Sequence, residues 1–443
     1  MRNGSASLES VNLNELFCDE AFLSLRKRAD EGLLLRCDLE DEKLPLNWSA
    51  DDTWLVLGAL RFQTSQVLPW ESYVDIGRTT KVWYTTTAAL AEGVNLVDRA
   101  VRKGSPLDQA IGKFRGVAQV AKFREWDIAA ALALDGVALG AEDVRAVLNG
   151  ERAPSCTAEH LVLNSWKVLS DLSIYDGREM GPGLMEDVYY RLTEGVGQDG
   201  FTAPESPYVI DDGSPYHDRD VCLLTVARIA RGDDGDPLFH PLFRVLCIQW
   251  LLRDFRPFER FNALVATVVR QIVLRRCGYP VLEWLPLNDL LQFKRVTVGG
   301  RERAFEEVFE TCLYDFGFGL DATMWFLIIC EYARNWLGEI GSIVLQLEEL
   351  GSRVDRALDV LGRINHRERA ILANAIQDPQ SGQRIEAHRR HFGVAYATAR
   401  KDFIQLTERG FLVRETEGQA FVYKPHPRLT ELFEKCSVGS EVA

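Results

Sequence analysis

The sequence predicts a mainly α-helical protein in which a large helical body precedes a smaller C-terminal module of three helices and two strands. Apolar residues return every three or four positions in four long stretches, 117–134, 186–192, 242–252 and 265–274, as is typical of helices with one buried face. Charge separates the two parts: residues 363–428 contain 12 Lys and Arg against 7 Asp and Glu, whereas the whole chain carries −14. A basic module therefore follows an acidic body.

A chain of 443 residues is long enough for two to four folding units. We predict an N-terminal helical region at 1–105, a helical domain at 106–350, a C-terminal module at 363–430 and a tail at 431–443. The first boundary follows the turn-forming sequence Lys103-Gly104-Ser105-Pro106. A loop or small β-hairpin is predicted inside the helical domain at Phe201–Tyr216, where Pro, Gly, Asp and Ser are frequent.

Composition argues against several classes of protein. The longest apolar stretches, such as 324–330, end at charged residues well before the roughly 20 residues that a membrane-spanning helix needs. The nine cysteines are scattered, with no Cys-x-x-Cys pair and no matching His spacing for zinc. We therefore expect a cytoplasmic protein with reduced thiols, no metal site and no membrane contact.

The C-terminal module has a recognisable order of elements. The pattern predicts helices at His366–Ile376, Arg384–Phe392 and Tyr396–Arg409, followed by strands at 411–413 and 420–423 that are joined at Glu417-Gly418. Gly393 supplies the tight turn before the third helix, whose Ala399, Phe403 and Leu406 share one face. This order resembles a winged helix-turn-helix, in which the third helix enters a DNA groove.

The resemblance implies a DNA-binding face on this module. Tyr396, Thr398, Arg400 and Lys401 lie on the free side of the third helix and could reach a groove or a phosphate. Phosphate contacts are also expected from Arg389, Arg390, Arg414 and Lys424. The alternative is that the module makes protein contacts and that its excess positive charge is only a solvated surface.

A second resemblance concerns the centre of the chain. Phe239-His240-Pro241 opens one predicted helix, Arg256-Pro257-Phe258-Glu259-Arg260-Phe261-Asn262-Ala263 separates it from the next, and Gly278-Tyr279-Pro280 follows. Over roughly residues 110–350 this order resembles proteins of the Fic family, which have the Fido fold. The alternative is an ordinary turn between two helices, unrelated to that family.

The resemblance implies a degenerate catalytic motif. Family members transfer AMP to a protein hydroxyl, with a His as general base and an acid that holds Mg²⁺ on the ATP phosphates. Here Arg256 stands at the base position, Arg260 at the metal-ligand position, and Leu264 and Thr267 at the two arginine positions. Only Pro257, Phe258 and Asn262 match. Because guanidinium groups neither accept protons near neutral pH nor attract Mg²⁺, we expect no cofactor and no metal.

The resemblance also extends to an inhibitory helix, a phosphate-binding loop and a hairpin of the family. The family's inhibitory helix, which ends in Glu and a small residue, corresponds to 131–136, where Asp135 and Gly136 remain as remnants of it. Phe261 and Ala263 replace glycines of the phosphate-binding loop and penalise the positive φ that glycine tolerates. The hairpin at 201–216 corresponds to the family element that holds a target peptide by strand addition.

These observations support three functional hypotheses. The first is a non-catalytic transcriptional regulator that binds double-stranded DNA as a homodimer through the winged helix. The second is a Fic-type nucleotidyltransferase with a non-standard active site, in which Glu259 or a displaced carboxylate acts as base. The third is a scaffold that captures a partner protein at 201–216. We favour the first, since base, metal ligand, glycines and arginines are all replaced.

Overall fold

The computed structural model describes residues 13–31, 34–75, 78–114, 117–196, 218–232, 239–291, 295–298, 301–304, 319–358, 364–379, 382–417, 420–429 and 431. The predicted hairpin at 201–216 and nearly all of the tail at 431–443 lie outside these residues. The described chain is mainly helical, with small sheets of two or three strands, as the sequence predicts. Among the described residues, no helix combines the length and the apolarity needed to cross a lipid bilayer.

The helices are, in chain order, α1 (Leu13–Leu16), α2 (Glu20–Asp30), α3 (Ala50–Phe62), α4 (Ala88–Val101), α5 (Pro106–Phe114), α6 (Ala118–Leu134), α7 (Ala141–Leu148), α8 (Thr157–Ser170), α9 (Pro182–Leu192), α10 (Arg219–Arg231), α11 (Pro241–Phe255), α12 (Asn262–Arg276), α13 (Leu287–Leu290), α14 (Thr323–Leu358), α15 (His366–Gln377), α16 (Ile385–Phe392) and α17 (Tyr396–Glu408). The strands are β1 (Gln66–Asp75), β2 (Arg78–Tyr84), β3 (Arg295–Val298), β4 (Arg301–Ala304), β5 (Leu320–Asp321), β6 (Leu412–Glu417) and β7 (Ala420–Pro425).

Two compact units divide the chain, each built from three separate segments. Unit 1 contains Met1–Arg99, Glu205–Pro257 and Gln292–Asn335, and unit 2 contains Ala100–Pro204, Phe258–Leu291 and Trp336–Ala443. The boundaries predicted from the sequence are continuous along the chain, whereas these units interleave. The C-terminal module belongs to unit 2 together with α5 to α9 and α12.

Unit 1 is organised around aromatic side chains and a three-stranded sheet. Phe326 stacks on Phe243 with ring centroids 4.1 Å apart and meets Tyr84 edge-on at 5.0 Å. β2 pairs antiparallel with β1 and parallel with β5. Gly319, at φ +102°, precedes β5, and a Cβ at this position would collide with the carbonyl of Lys81. Glycine is therefore needed where β5 approaches β2.

The strands β1 and β2 lie in a region that the sequence analysis assigned to helices alone. Pro69 interrupts the apolar run of β1, and the register between β1 and β2 shifts between Val67 and Glu71, where this proline lies. Proline is tolerated in a strand at such irregularities because it has no N–H to donate. The hairpin was therefore not predicted, since an isolated proline ordinarily indicates the end of an element.

Unit 2 packs its helices around α12. The described residues of α12 from Asn262 to Leu274 are all buried, and α6, α8 and α9 surround the helix. A helix that is buried on all sides needs apolar residues all round, which explains the sequence Ala-Leu-Val-Ala-Thr-Val-Val of residues 263–269. The polar residues of α12 are therefore buried in the core of unit 2.

Candidate functional site

The turn before α12 is closed by one amide side chain. Asn262 accepts a hydrogen bond from the Phe258 N–H at 3.0 Å and donates one from Nδ2 to the Phe258 carbonyl at 2.8 Å. Its side chain is 4% exposed, and the Phe258 ring stacks on Tyr189 at 4.8 Å. Phe258 and Asn262, two residues of the predicted degenerate motif, are thus joined by reciprocal hydrogen bonds across one compact turn.

Two residues of the degenerate motif adopt left-handed backbone conformations. Arg256 has φ +46° and ends α11, and Phe261 has φ +59° and precedes α12. For residues other than glycine, each such conformation costs about 1 to 2 kcal/mol. The Phe261 side chain is buried, so its packing can offset this cost. Of the two positions predicted to replace family glycines, Phe261 has a positive φ, whereas Ala263 lies inside α12 and does not.

The N-terminus of α12 is occupied by a carboxylate of the protein itself. Asp135 follows α6, and its Oδ1 and Oδ2 accept hydrogen bonds from the N–H groups of Ala263 at 3.0 Å and Leu264 at 3.1 Å. The first N–H groups of a helix lack intrahelical partners, and together with the helix dipole they form an anion site. In this structure the anion at that site is Asp135, so these amides are already paired.

Thr267, which was predicted to correspond to a family arginine, lies in a buried polar network. Thr267 Oγ1 donates to the Ala263 carbonyl at 2.7 Å and accepts a hydrogen bond from Asn288 Nδ2 at 2.8 Å. Asn288 also donates to Asp127 from its backbone N–H at 3.0 Å and from Nδ2 at 2.9 Å. Thr267 is 1% exposed. The Thr267 hydroxyl thus has two hydrogen-bond partners in the core of unit 2.

An ion pair completes this network. Arg270 of α12, 1% exposed, binds the Asp127 carboxylate of α6 through Nη2. Burial raises the pKa of Asp127, against the opposing effect of the Arg270 charge and the hydrogen bonds from Asn288. Because each group would be costly to bury alone, the pair fixes α6 against α12. Its role here is structural.

The C-terminal module packs three helices and an antiparallel strand pair around one core. The core residues are Ile371, Leu372, Ala375, Ile385, Ala399, Phe403, Leu406, Phe411, Leu412, Tyr423 and Leu429. The two strands, β6 and β7, are in a register that places Val413 opposite Lys424 and Glu417 opposite Ala420. α17 turns Ala399, Phe403 and Leu406 inward, so its opposite face is exposed.

One buried acid holds α17 to the other two helices. Asp402 accepts hydrogen bonds from Arg367 Nε at 2.8 Å and Nη2 at 3.1 Å, and its Oδ2 lies 3.3 Å from His388 Nε2. Burial by itself would raise the pKa of Asp402, but the hydrogen bonds from His388 and Arg367 hold it well below its ordinary value of 3.8. Asp402 thus stays ionised and orients α17.

The predicted DNA-binding residues differ in their surroundings. On α17, Tyr396 is 53% exposed, Arg400 and Lys401 are exposed, and Thr398 is half-buried. On β6 and β7, the Arg414 guanidinium lies 4.6 Å from the Phe421 ring centroid, and Lys424 pairs with Glu415 at 2.8 Å. None of these six side chains is buried, so each is at least partly open to solvent.

The two arginines of α16 are engaged with protein groups. Arg389 makes a two-pronged ion pair with Glu386 at 2.6 and 2.8 Å. Arg390 also contacts Glu386 at 2.9 Å, and its Nη1 donates to the carbonyls of Val147 and Leu148 at the end of α7. Arg390 is therefore a tether between the module and α7, while Arg389 keeps a partly exposed side chain.

Comparisons with known proteins give matches in structure but none in sequence. No protein-family model matches this sequence, and no curated protein matches it. The chain is similar in structure to a Fic family protein from Desulfovibrio desulfuricans G20, with 15% sequence identity and a TM-score of 0.40, over 77% of this chain and 97% of that one. At that identity and score, the likeness carries no inference about activity.

The sequence analysis singled out some of these residues and missed others. Asp135 and Gly136 were predicted as remnants of an inhibitory helix, and the structure places Asp135 on the N-terminus of α12, with Gly136 at φ +79° behind it. The pair of Asp127 and Arg270 was missed. A charged residue inside the apolar run Val-Val-Arg-Gln-Ile-Val was the available signal, because arginine is almost never buried without a partner.

Proposed function

We propose that this protein is a non-catalytic, Fic-like DNA-binding regulator whose C-terminal module acts as a winged helix-turn-helix. The exposed face of α17 is the observation that carries the proposal. Tyr396, Arg400 and Lys401 project from a helix whose other side is fixed by Phe403 and Asp402. A rigid helix with one free basic face suits insertion into a groove or contact with phosphates.

Charge supports the same surface. Arg414 adds positive charge on the strand pair, whereas Lys424 and Arg389 are paired with Glu415 and Glu386 and would contact phosphate only by leaving these partners. Arg390 is left out of the proposed surface, since its guanidinium is held by Glu386 and by the carbonyls of α7. Binding is expected to depend mainly on phosphate contacts and therefore strongly on salt.

The geometry before α12 supports the non-catalytic part of the proposal. The backbone amides that could hold a phosphate are paired with Asp135, and Thr267 is buried in the network with Asn288. Nucleotide binding at this helix would require Asp135 to leave two hydrogen bonds. A nucleotidyltransferase would in addition need a base and a metal ligand, positions at which this chain has Arg256 and Arg260.

Fluorescence anisotropy with a mixed-sequence DNA duplex tests DNA binding. We expect the affinity to fall at least tenfold between about 50 mM and about 200 mM salt. The double charge reversal Arg400→Glu with Lys401→Glu should weaken binding by a further tenfold or more. The matched control is Arg26→Glu with Lys27→Glu, an adjacent basic pair in α2 that changes the net charge by the same amount.

An equal loss in both double variants would contradict the proposed surface, because it would show a dependence on net charge alone. Absence of DNA binding at the lower salt concentration would contradict DNA binding altogether. Calorimetric titration with ATP and Mg²⁺ tests the other half of the proposal. Saturable binding that requires Mg²⁺ would favour the nucleotidyltransferase hypothesis. Light scattering of the free protein and of its DNA complex checks the predicted homodimer.

A further inference from the structure

Unit 2 contains a small cavity beside the C-terminal module. It has a volume of about 170 Å³ and is lined by residues of α5, α6, α8, the short helical turn Pro280–Trp284 and α16. The wall residues that bear on ligand binding include Gly112, Arg124, Trp166, Glu283, Trp284 and His391. At interior packing density, this space suits a molecule of roughly nine non-hydrogen atoms.

Two buried polar atoms on this wall have no hydrogen-bond partner among the described residues. They are Glu283 Oε1 and His391 Nδ1. The Glu283 side chain is only 8% exposed, and Arg275 Nη1 lies 3.9 Å from its Oε1, beyond hydrogen-bond range. Buried polar atoms in folded proteins are nearly always paired. Two of them on one cavity therefore indicate a polar occupant.

The remaining wall supplies positive charge and flat apolar surface. The Arg124 guanidinium carbon lies 4.2 Å from the Trp284 ring centroid and 5.8 Å from that of Trp166. Trp166 is itself fixed, because its Nε1 donates to the Arg390 carbonyl at 3.3 Å and its ring meets His391 edge-on at 5.1 Å. The cavity thus offers a cation flanked by indole rings.

The ionisation states of Glu283 and His391 indicate the sign of the charge on the occupant. Burial, together with the charges of His388, Arg124 and Arg390, lowers the pKa of His391 to about 4, so that His391 is neutral. Burial raises the pKa of Glu283 to about 7, with Arg124 and Arg275 acting against the rise and Asp108 and Asp176 adding to it. A protonated Glu283 donates a hydrogen bond, whereas an ionised one repels an anion. On the cavity wall, the guanidinium groups of Arg124 and Arg275 outnumber the Asp108 carboxylate, so an anion is favoured over a cation when Glu283 is protonated.

We propose that this cavity binds a small carboxylic acid, whose carboxylate is attracted by Arg124 and accepts a hydrogen bond from protonated Glu283. His391 Nδ1 provides a second polar contact, and the Trp166 and Trp284 rings pack against the apolar part of the acid. Because the occupant touches α16, which precedes α17 in the module, it is placed to change DNA affinity. That last consequence rests on the proposed function, whereas binding of the acid does not.

Calorimetric titration of the full chain with benzoate tests the site. Benzamide and benzamidine are the neutral and cationic probes of matched shape. We expect benzoate to bind in the millimolar range or tighter, and roughly tenfold more tightly at about pH 6 than at about pH 8, since Glu283 loses its proton between them. Glu283→Gln should remove this dependence on pH, because an amide donates a hydrogen bond at both values.

A pair of glycine variants locates the binding. Gly112 lies in α5 on the cavity wall, and a Cβ added there meets no atom within 4 Å. Gly112→Leu should therefore leave the fold undisturbed, and a bulky side chain added on the cavity wall should weaken benzoate binding at least tenfold. Gly183→Leu is the matched control, a helical glycine of α9 with equally open surroundings, and should leave binding unchanged.

Three results would overturn the proposal: no benzoate binding at millimolar concentration, equal binding by the Gly112→Leu variant, or preference for benzamidine. Repeating the DNA titration with and without benzoate separates the two proposals. Benzoate binding without any DNA binding would leave the cavity site standing and remove the proposed function. DNA binding without any benzoate binding would remove the cavity site and leave the proposed function standing.

Discussion

Asp135 Oδ1 accepts a hydrogen bond from the N–H of Ala263 at 3.0 Å, although 128 residues of chain separate the two. A carboxylate at the N-terminus of a helix is favourable because it pairs free amides and opposes the positive end of the helix dipole. Here the helix is α12, the central element of unit 2. Asp135 therefore stabilises the fold, a role that the predicted resemblance to an inhibitory helix does not include.

Removal of this carboxylate should destabilise unit 2. We expect Asp135→Ala to lower the free energy of unfolding by about 1 to 3 kcal/mol, the cost of leaving partly buried donors without a partner. Asp135→Asn, which keeps one oxygen acceptor, should lose less. Urea unfolding followed by far-ultraviolet circular dichroism measures both. Asp30→Ala, which breaks only the surface pair with Arg26, is the control and should have little effect. Equal stability of all three variants would contradict the capping role.

The left-handed conformation of Arg256 predicts an unusual preference for glycine. Arg256→Gly should be more stable than Arg256→Ala by about 1 kcal/mol, because only glycine adopts φ +46° without strain. Both variants lose the same side-chain contacts, so the difference reports the backbone alone. At Arg253, inside α11, the order should reverse by a similar amount. The urea midpoints of the four variants measure these differences. Equal stability of Arg256→Ala and Arg256→Gly would show that the backbone at residue 256 is not strained.

The buried pair of Asp127 and Arg270 should behave as one unit. We expect Asp127→Ala and Arg270→Met each to destabilise the protein by about 3 to 5 kcal/mol, because each leaves the other charge buried without its partner. The double variant should be destabilised by much less than the sum. A double-mutant cycle on urea unfolding measures this coupling. Additive losses would mean that the two charges are stabilised independently.

The lowered pKa of Asp402 predicts acid sensitivity in the module. A carboxyl whose pKa is lower in the folded state than in the unfolded one stabilises the fold above its unfolded pKa, near 3.8, and loses that stabilisation as the pH falls below it. The wild type should exceed Asp402→Asn in stability by about 1 to 3 kcal/mol at neutral pH. This difference should shrink as the pH falls below about 4.

Thermal unfolding monitored across the acid range measures the difference between the two proteins. Other titrating groups cancel in that difference, so the comparison isolates Asp402 and its partners Arg367 and His388. Asp30→Asn, at an exposed position, provides the control and should run parallel to the wild type at every pH. A difference that stays constant down to the lowest pH would indicate that Asp402 is not ionised in the fold.

Periodicity predicted the strongly patterned elements and little beyond them. The apolar stretches 242–252 and 265–274 fall inside α11 and α12, and the three helices of the C-terminal module begin within one residue of the predicted positions. A helix with regularly repeating apolar positions can be predicted from its own stretch of sequence alone. The hairpin of β1 and β2 does not, because Pro69 breaks its pattern and the strands gain their stability from pairing and packing.

Long-range contacts of the candidate site were outside the reach of sequence reasoning. Nothing near Asp135 indicates that its carboxylate meets Ala263, and nothing near Glu283 indicates that it shares a cavity with His391. Spacing rules describe one helix or one strand, whereas these contacts depend on how several helices pack in unit 2. Arg256 and Arg260 could be singled out from the sequence, but the positive φ of Arg256 and Phe261 could not.

The tether formed by Arg390 has a practical consequence for anyone who wishes to study the C-terminal module in isolation. A fragment that starts at residue 364 would take Arg390 away from the carbonyls of Val147 and Leu148, and its backbone carbonyl away from Trp166. Water would replace those partners, and the side of α16 that faces α7 and α8 would become new surface. A shortened protein intended to report native behaviour should therefore retain α7 and α8.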